Sequence, residues 1–236
     1  MLTKNNILKK LVVLTGAGIS AESGLKTFRD SDGLWEGYNI EDVATYNAWL
    51  KNPTLVLDFY NERRKSVLKS QPNAAHQILA ELQEVFDVHI VTQNVDDLHE
   101  RAGSKKILHL HGEILKMKST NNENKFYSIE TDIYLGDKAE DGFQLRPHIV
   151  WFGEQVPMMD KAIINCMEAE IFVVIGTSLA VYPAAGLINY VSYETPKFII
   201  DKKIPNIAGV QNINLFENTA IEGMKLLREK LLSEYL

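Results

Sequence analysis

The sequence predicts an α/β fold: a parallel sheet with helices on both faces and one small inserted subdomain. Short runs that are apolar on both faces and rich in β-branched residues are typical of buried parallel strands. Stretches with one apolar stripe at helical spacing alternate with these runs, which indicates helices layered on a sheet. A polar stretch at 116–145 interrupts the alternation and predicts the insertion.

The predicted elements follow one another along the chain. Strands are predicted at 11–14, 88–91, 171–175 and 198–200, with a weaker one at 107–110. Helices are predicted at 53–68, at 74–86 and from 219 onward. We find no internal repeat, so one large domain with a small insertion is expected.

Small or polar residues follow the predicted strands. Gly16 follows the first strand, Gln93 and Asn94 follow the second, residues 176–178 come after a later one and Asp201 after the last. Ligands in open α/β sheets bind at the carboxyl ends of the strands. The sequence therefore predicts a binding site at that edge of the sheet.

Composition excludes several classes of protein. The chain has 236 residues, a net charge of −6 and a single cysteine, Cys166, which excludes an intramolecular disulfide and a zinc site with two thiolates. The acidic balance disfavours nucleic-acid and membrane partners, and no apolar run approaches the roughly 20 residues of a membrane span. The polar, mixed residues at 1–10 show no signal peptide. We expect a cytoplasmic protein that acts as a monomer.

A glycine-rich loop follows the first strand. Residues 16–21, GAGISA, fit G-x-G-x-x-[G/A], in which glycines admit a pyrophosphate close to the backbone amides and the helix dipole. A tight turn is the plain alternative. A dehydrogenase would place a strand and an acidic residue about 20 positions later. Here 26–33 is instead a polar loop, which suggests a cover over the reacting end of a dinucleotide.

Five motifs follow one another from about residue 11 to 187. They are 16–24 with Phe28 and Arg29; 92–99 with Ala102 and Gly103; His111 and Gly112; Arg146 and Pro147 with 150–154 and Pro157; and 176–179 with Val181, Pro183 and Ala184. In this order they resemble the motifs of the sirtuin family, and the chain is similar to the compact bacterial NAD-dependent protein deacylases.

The resemblance implies a single catalytic unit, 1–236, that uses NAD as a co-substrate. A Rossmann-like NAD-binding domain would comprise 1–25, 70–115 and 146–236. Residues 26–69 and 116–145 would supply a cofactor loop, a helical module and the small subdomain. Sirtuins of this kind convert NAD and acyl-lysine to nicotinamide, O-acyl-ADP-ribose and free lysine, and the resemblance implies the same reaction here, with acetyl groups among those removed.

The resemblance also assigns residues. His111 is the expected general base and Asn94 its catalytic partner, although a histidine in this place is by itself more often structural. We expect His109 to be structural, because a metal pair with His111 lacks an obvious third ligand. The residues implied in NAD binding are Gly16, Ala17, Gly18, Ser20, Ala21, Glu22, Thr27, Phe28, Arg29, Trp35, Gln93, Asn94, Val95, Asp96, His111, Gly176, Thr177, Ser178, Asp201 and Ala220.

Two residues three apart on a predicted helix indicate the acyl group. Tyr60 and Arg63 match the Tyr-x-x-Arg motif of class III sirtuins, which remove succinyl and malonyl groups. A guanidinium can bind the acyl carboxylate through two hydrogen bonds. A half-buried Tyr beside a solvated Arg is the plain alternative. The substrate residues implied are Ala44, Tyr60 and Arg63, with Val150, Phe152, Gly153 and Glu154 as an exposed strand edge for the peptide.

Two other functions remain open from sequence. An NAD glycohydrolase or mono-ADP-ribosyltransferase would use the same pocket with another acceptor, and a non-catalytic module would sense NAD.

The insertion departs from the family. Most sirtuins hold a structural zinc there with four cysteines, but residues 112–145 contain none. We therefore expect no zinc, and expect the insertion to be ordered by apolar packing against the main domain. The residues expected to pack are Phe126, Tyr127, Ile129, Ile133, Tyr134 and Leu135.

Overall fold

A computed structural model describes residues 8–27, 34–35, 37–122 and 124–236, with the backbone alone at 34–35. The strands are β1 (Lys10–Thr15), β2 (Leu34–Trp35), β3 (Tyr38–Asn39), β4 (Asp87–Thr92), β5 (Ile107–His109), β6 (Gly112–Ser119), β7 (Phe126–Ser128), β8 (Leu145–Ile149), β9 (Ile171–Ile175), β10 (Lys197–Asp201) and β11 (Ile213–Glu217). The helices are α1 (Gly18–Ala21), α2 (Ile40–Val43), α3 (Tyr46–Lys51), α4 (Pro53–Lys69), α5 (Ala74–Leu82), α6 (Leu98–Arg101), α7 (Met159–Met167) and α8 (Ala220–Glu234), with a 3₁₀ helix at Ala184–Tyr190.

Six strands form the main sheet in the order β11-β10-β9-β1-β4-β5, and every neighbouring pair is parallel. From β1 the chain adds β4 and then β5 on one side of the sheet. It then crosses to the other side of β1 and adds β9, β10 and β11. This is the doubly wound order with its switch point between β1 and β9. The predicted Rossmann-like α/β fold is confirmed.

Helices cover both faces because the central strands are apolar on both. In β1, Leu11 and Val13 pack with α5 and α8 on one face. Val12 and Leu14, which alternate with them, pack with α7 and the 3₁₀ helix on the other face. Cys166 is fully buried there on α7.

Asn73 joins α5 to the glycine loop. Its Oδ1 accepts from the Ala75 amide at 2.9 Å and caps the helix. Its Nδ2 donates to the Ile19 carbonyl at 2.8 Å and to Ser23 Oγ at 3.0 Å. The cap therefore fixes the loop that follows β1 against the start of α5.

A smaller lobe stands beside the main sheet. Its antiparallel sheet has the order β7-β6-β8, and its core joins α2, α3 and α4 to that sheet. In this sheet, Gly112 of β6 pairs with Ile149 of β8. Both residues lie outside the predicted insertion, so the small sheet extends beyond it on both sides. The division into domains stays a prediction.

The predicted packing of the insertion is only half right. Ile133 is buried, and Tyr127 and Ile129 pack against the core of the smaller lobe. Phe126 faces outward because side chains alternate along β7, and it stacks on His148 with ring centroids 4.1 Å apart. Tyr134 and Leu135 lie in a turn in which the Tyr134 amide donates to Asp137 Oδ2 at 2.8 Å. Both side chains are exposed there, so their predicted packing is wrong.

None of the described helices is long and apolar enough to cross a membrane.

Candidate functional site

The glycine loop after β1 touches the loop after β9 across the switch point. Gly16 N donates to the Ile175 carbonyl at 3.0 Å, and Gly18 N donates to the Gly176 carbonyl at 2.8 Å. A Cβ on Gly18 would lie 2.6 Å from the Gly176 Cα, and Gly176 itself has a φ of +63°. The close approach of the two backbones explains why both positions are glycine.

A cavity of about 440 Å³ opens at this edge of the sheet and extends to the smaller lobe. Most of the predicted site residues line it. They are Gly16, Ala17, Gly18, Ser20, Ala21, Thr27, Ala44, Tyr60, Arg63, Gln93, Asn94, Val95, Asp96, His111, Val150, Phe152, Gly153, Glu154, Gly176, Thr177, Ser178, Asp201 and Ala220.

The turn after β4 carries a buried polar chain into the cavity. Asn94 Nδ2 donates to Ser20 Oγ at 3.2 Å, and Ser20 Oγ donates to Asp96 Oδ2 at 3.1 Å. Burial raises the pKa of Asp96, although the Leu98 amide and Ser20 hydrogen bonds oppose this. Gln93 Nε2 reaches across to Thr177 Oγ1 at 3.0 Å. Amides, hydroxyls and a carboxyl thus offer both donors and acceptors to a ligand.

His111 has its tautomer fixed by the backbone. Its Nδ1 lies 3.1 Å from the Gln93 carbonyl, which can only accept, so Nδ1 carries the proton. Nε2 therefore holds the lone pair. Burial lowers the pKa of His111, while the Gln93 hydrogen bond opposes the shift. The ring is a neutral base at pH 7.

Tyr60 and Arg63 lie together in the cavity, buried rather than solvated. Trp151 Nε1 donates to the Tyr60 hydroxyl at 3.1 Å, which leaves the phenol proton to be donated to a ligand. Burial raises the pKa of Tyr60, so the phenol stays protonated. Ala44 is a small buried residue on the same wall.

The segment 150–154 differs from the expected strand edge. β8 ends at Ile149, and the Phe152 amide already donates to the Ala44 carbonyl at 2.9 Å. Glu154 accepts two hydrogen bonds from Arg146, at 2.7 and 3.1 Å, and a third from the Trp151 amide at 2.8 Å. The segment is therefore a turn held by Arg146, whose guanidinium stacks on Trp151.

Four of the predicted residues remain, of which the structure describes the side chain of one. Glu22 is absent from the cavity lining, because its Oε2 accepts from the Ile221 amide at 2.9 Å and caps α8. Phe28 and Arg29 lie outside the described residues, as does the side chain of Trp35.

The cavity is also lined by residues that the sequence pattern did not indicate. Lys202, Lys203 and Asn218 line it beside Asp201. They directly follow β10 and β11, and this position after the end of a strand is the feature of the sequence that could have indicated them. The two lysines bring positive charge to the edge where the glycine loop lies.

The chain is similar to known proteins along most of its length. The model of the Sir2 family matches residues 16–183. The chain belongs to the Sir2 family. An NAD-dependent protein deacylase of Helicobacter pylori (strain ATCC 700392 / 26695) is 52% identical over 225 residues, covering 95% of this chain and 98% of the relative. One of Bacteroides thetaiotaomicron is 49% identical over 231 residues, covering 95% and 99%.

Solved Sir2 structures share the fold. A Sir2 homologue in complex with NAD has a TM-score of 0.85 at 38% identity, covering 96% of this chain and 91% of that one. A Sir2 complex with a deacetylated peptide and 3′-O-acetyl-ADP-ribose has a TM-score of 0.79 at 29% identity, covering 95% and 94%.

Proposed function

We propose that this Sir2 protein is an NAD-dependent protein-lysine deacylase that removes succinyl, malonyl and acetyl groups. One observation carries the proposal: His111 presents a neutral base in the cavity that also holds the glycine loop and the Tyr60–Arg63 pair. The relatives named deacylases support the class of reaction. The protein would act on acylated lysine in peptides or proteins.

The cavity fits NAD as the co-substrate. The loop after β1 carries Gly16 and Gly18, packs against Gly176 and Thr177, and leads directly into α1, an arrangement in which backbone amides can bind a pyrophosphate. Asp201 is buried at the end of β10, where a carboxylate can accept from ribose hydroxyls and would repel a 2′-phosphate. When bound, NAD would supply the ADP-ribosyl group that takes up the acyl chain.

In this assignment, each residue has one task. Nε2 of His111 takes the proton of a ribose hydroxyl, while Asn94 and Asp96 orient the nicotinamide end. Arg63 pairs with the carboxylate of a succinyl or malonyl group, and Tyr60 donates to it. Because Phe152 is exposed at the rim, we place the peptide there.

One assay separates this function from its alternatives. The protein is incubated with NAD and a succinyl-lysine peptide, and the products are resolved by mass spectrometry. We expect O-succinyl-ADP-ribose, nicotinamide and free lysine peptide. Free ADP-ribose with an unchanged peptide would instead indicate an NAD glycohydrolase. An ADP-ribosylated protein would indicate a transferase, and no turnover would indicate an NAD-sensing module.

We further propose that the smaller lobe folds without zinc. Cys166 lies in the core between α7 and the main sheet and not in the core of the smaller lobe. Burial raises the pKa of its thiol to about 12, which disfavours the thiolate that binds metal. Hydrogen bonds close the insertion instead. Ser119 Oγ donates to Asp141 Oδ2 at 2.7 Å, and the Gly136 amide donates to Gln144 Oε1 at 2.7 Å.

This proposal predicts that purified protein contains no stoichiometric zinc and that EDTA leaves its Tm unchanged. Because Ser119 and Asp141 close the insertion, Ser119→Ala should lower the Tm. Metal analysis and a thermal melt measure both, with Ser233→Ala at the exposed end of α8 as the control. Stoichiometric zinc whose removal lowers the Tm would contradict the proposal.

Action as a cytoplasmic monomer, without nucleic-acid or membrane partners, stays a prediction.

A further inference from the structure

His109 lies two residues before His111, and both of its ring nitrogens face acceptors. Nδ1 is 3.0 Å from the Asn94 carbonyl, and Nε2 is 2.8 Å from Glu100 Oε1. A carbonyl and an ionised carboxylate only accept, so each ring nitrogen needs its own proton. The geometry requires an imidazolium at His109, in contrast to the neutral ring of His111.

The charges around His109 agree with that state. Burial disfavours a cation, but the hydrogen bond and charge of Glu100, the Asn94 carbonyl and Glu113 together raise the pKa of His109. Asp96 on the β4–α6 turn also interacts favourably with this ring. The positive groups nearby are Lys116, which pairs with Glu113 at 2.6 Å, and the buried ring of His99, whose pKa is well below its usual value.

Glu100 is held in place by its helix. Arg101, the next residue of α6, donates to the Val67 carbonyl at 3.0 Å and the Ser70 carbonyl at 2.6 Å, at the end of α4. Arg101 also pairs with Asp97, the residue just before α6, at 3.0 Å. The carboxylate that faces His109 is thus presented from an anchored turn.

The backbone of Asn94 is held at both ends. Its amide donates to Thr92 Oγ1 at 3.0 Å, and its carbonyl accepts from His109. Its side chain then points to Ser20 in the cavity. A charge-assisted hydrogen bond is stronger than a neutral one, so the imidazolium fixes this turn more firmly than a neutral ring would.

We propose that His109, held as an imidazolium by Glu100, is a positioning residue that fixes Asn94 for NAD binding. No group on His109 touches the substrates in this scheme, because its Nδ1 acts through the Asn94 carbonyl. The kinetic consequence rests on the proposed function, whereas the charge state of the ring does not. Two measurements can therefore fail independently.

The first measurement is an NMR titration of the histidine side chains, labelled with ¹⁵N, in the absence of substrates. At pH 7 we expect both ring nitrogens of His109 to carry a proton. In His111 we expect only Nδ1 to carry one. In Glu100→Gln, the pKa of His109 should fall, so the imidazolium is lost at lower pH than in the wild type. A neutral His109 at pH 7, or a pKa unchanged by Glu100→Gln, would overturn the proposal.

The second measurement is the pH profile of kcat/KM for NAD. Since the imidazolium exists below its raised pKa, the alkaline limb should move to lower pH in Glu100→Gln. His109→Gln keeps an uncharged donor and loses the charge. It should lower kcat/KM by about tenfold or less at pH 7, the order of the difference between a charge-assisted and a neutral hydrogen bond, mainly through KM.

A matched pair serves as the control. His89 Nε2 lies 3.0 Å from Asp87 Oδ2 at the opposite end of β4. His89→Gln should leave KM for NAD and the pH profile unchanged. Equal effects of His89→Gln and His109→Gln would show a general loss of stability and overturn the positioning role. If the NMR result holds and no NAD turnover exists in the wild type, the proposed function has failed and the charge state stands.

Discussion

Replacing His111 with alanine is expected to abolish deacylation and leave a folded protein that still binds NAD. The ring contributes one described hydrogen bond to the structure, from Nδ1 to the Gln93 carbonyl. Its chemical contribution is the lone pair on Nε2, which acts as the base. Neither alanine nor a solvent molecule supplies an equivalent base at that position. General-base catalysis typically contributes about 10²- to 10⁴-fold to the rate, so the loss should be at least of that order.

The measurement compares product formation with NAD affinity. Succinyl-lysine turnover is followed by mass spectrometry, NAD binding by calorimetry and folding by circular dichroism. His111→Tyr should also be inactive, because its phenol is protonated at neutral pH. His89→Ala, at the far end of β4, is the control and should keep wild-type turnover. Turnover retained in His111→Ala would refute the assignment of the base.

The pH profile of the wild type tests the same residue. A base works only when it is unprotonated, and burial lowers the pKa of His111 below its usual value near 6.5. Activity should therefore rise as the pH increases through this lowered pKa and level off before neutrality. An acid limb centred well above pH 6.5 would contradict a neutral, buried His111.

The central fold could be predicted because its strands are buried on both faces. Runs such as 171–175 are wholly apolar, which leaves little ambiguity between strand and surface loop. β11 was missed because it is an edge strand with one exposed face. Leu215 and Glu217 are exposed, and Asn214 interrupts the apolar pattern. A half-polar run of five residues resembles a loop.

The small sheet was harder to predict for a related reason. β6 shifts register between Glu113 and Met117, so inward and outward positions do not alternate along its length. Gly112 at its start has a φ of +84°, and a Cβ there would lie 2.1 Å from the His148 carbonyl oxygen. Pattern alone cannot reveal a bulge that depends on the partner strand.

Most of the candidate site followed from residues at strand ends, since topology brings such ends together. Contacts between distant segments did not follow. Tyr60 and Trp151 are 91 positions apart, and nothing in either local sequence indicates the hydrogen bond between them. The pairing of Glu154 with Arg146, which supports the turn at 150–154, was likewise not indicated by the sequence.

Arg63→Met is expected to reduce desuccinylation strongly while sparing much of the deacetylation. Both reactions share His111 and the NAD cavity, but only an acidic acyl group carries a carboxylate for the guanidinium. A hydrogen bond to a charged group is worth about 1.5–3 kcal/mol, which corresponds to roughly 10- to 100-fold in kcat/KM for the succinyl substrate. The acetyl substrate should change by no more than a few-fold.

The variant needs two companions because Arg63 is buried and lowers the pKa of Asp96. Arg63→Lys keeps the charge but loses the planar fork, so desuccinylation should be intermediate. Arg228→Met, on the exposed face of α8, removes a cation far from the cavity and should alter neither activity. Kinetics on matched succinyl and acetyl peptides then isolates the carboxylate. Equal losses on both peptides in Arg63→Met would mean that Arg63 supports Asp96 and the cavity, and that the acyl carboxylate is recognised elsewhere.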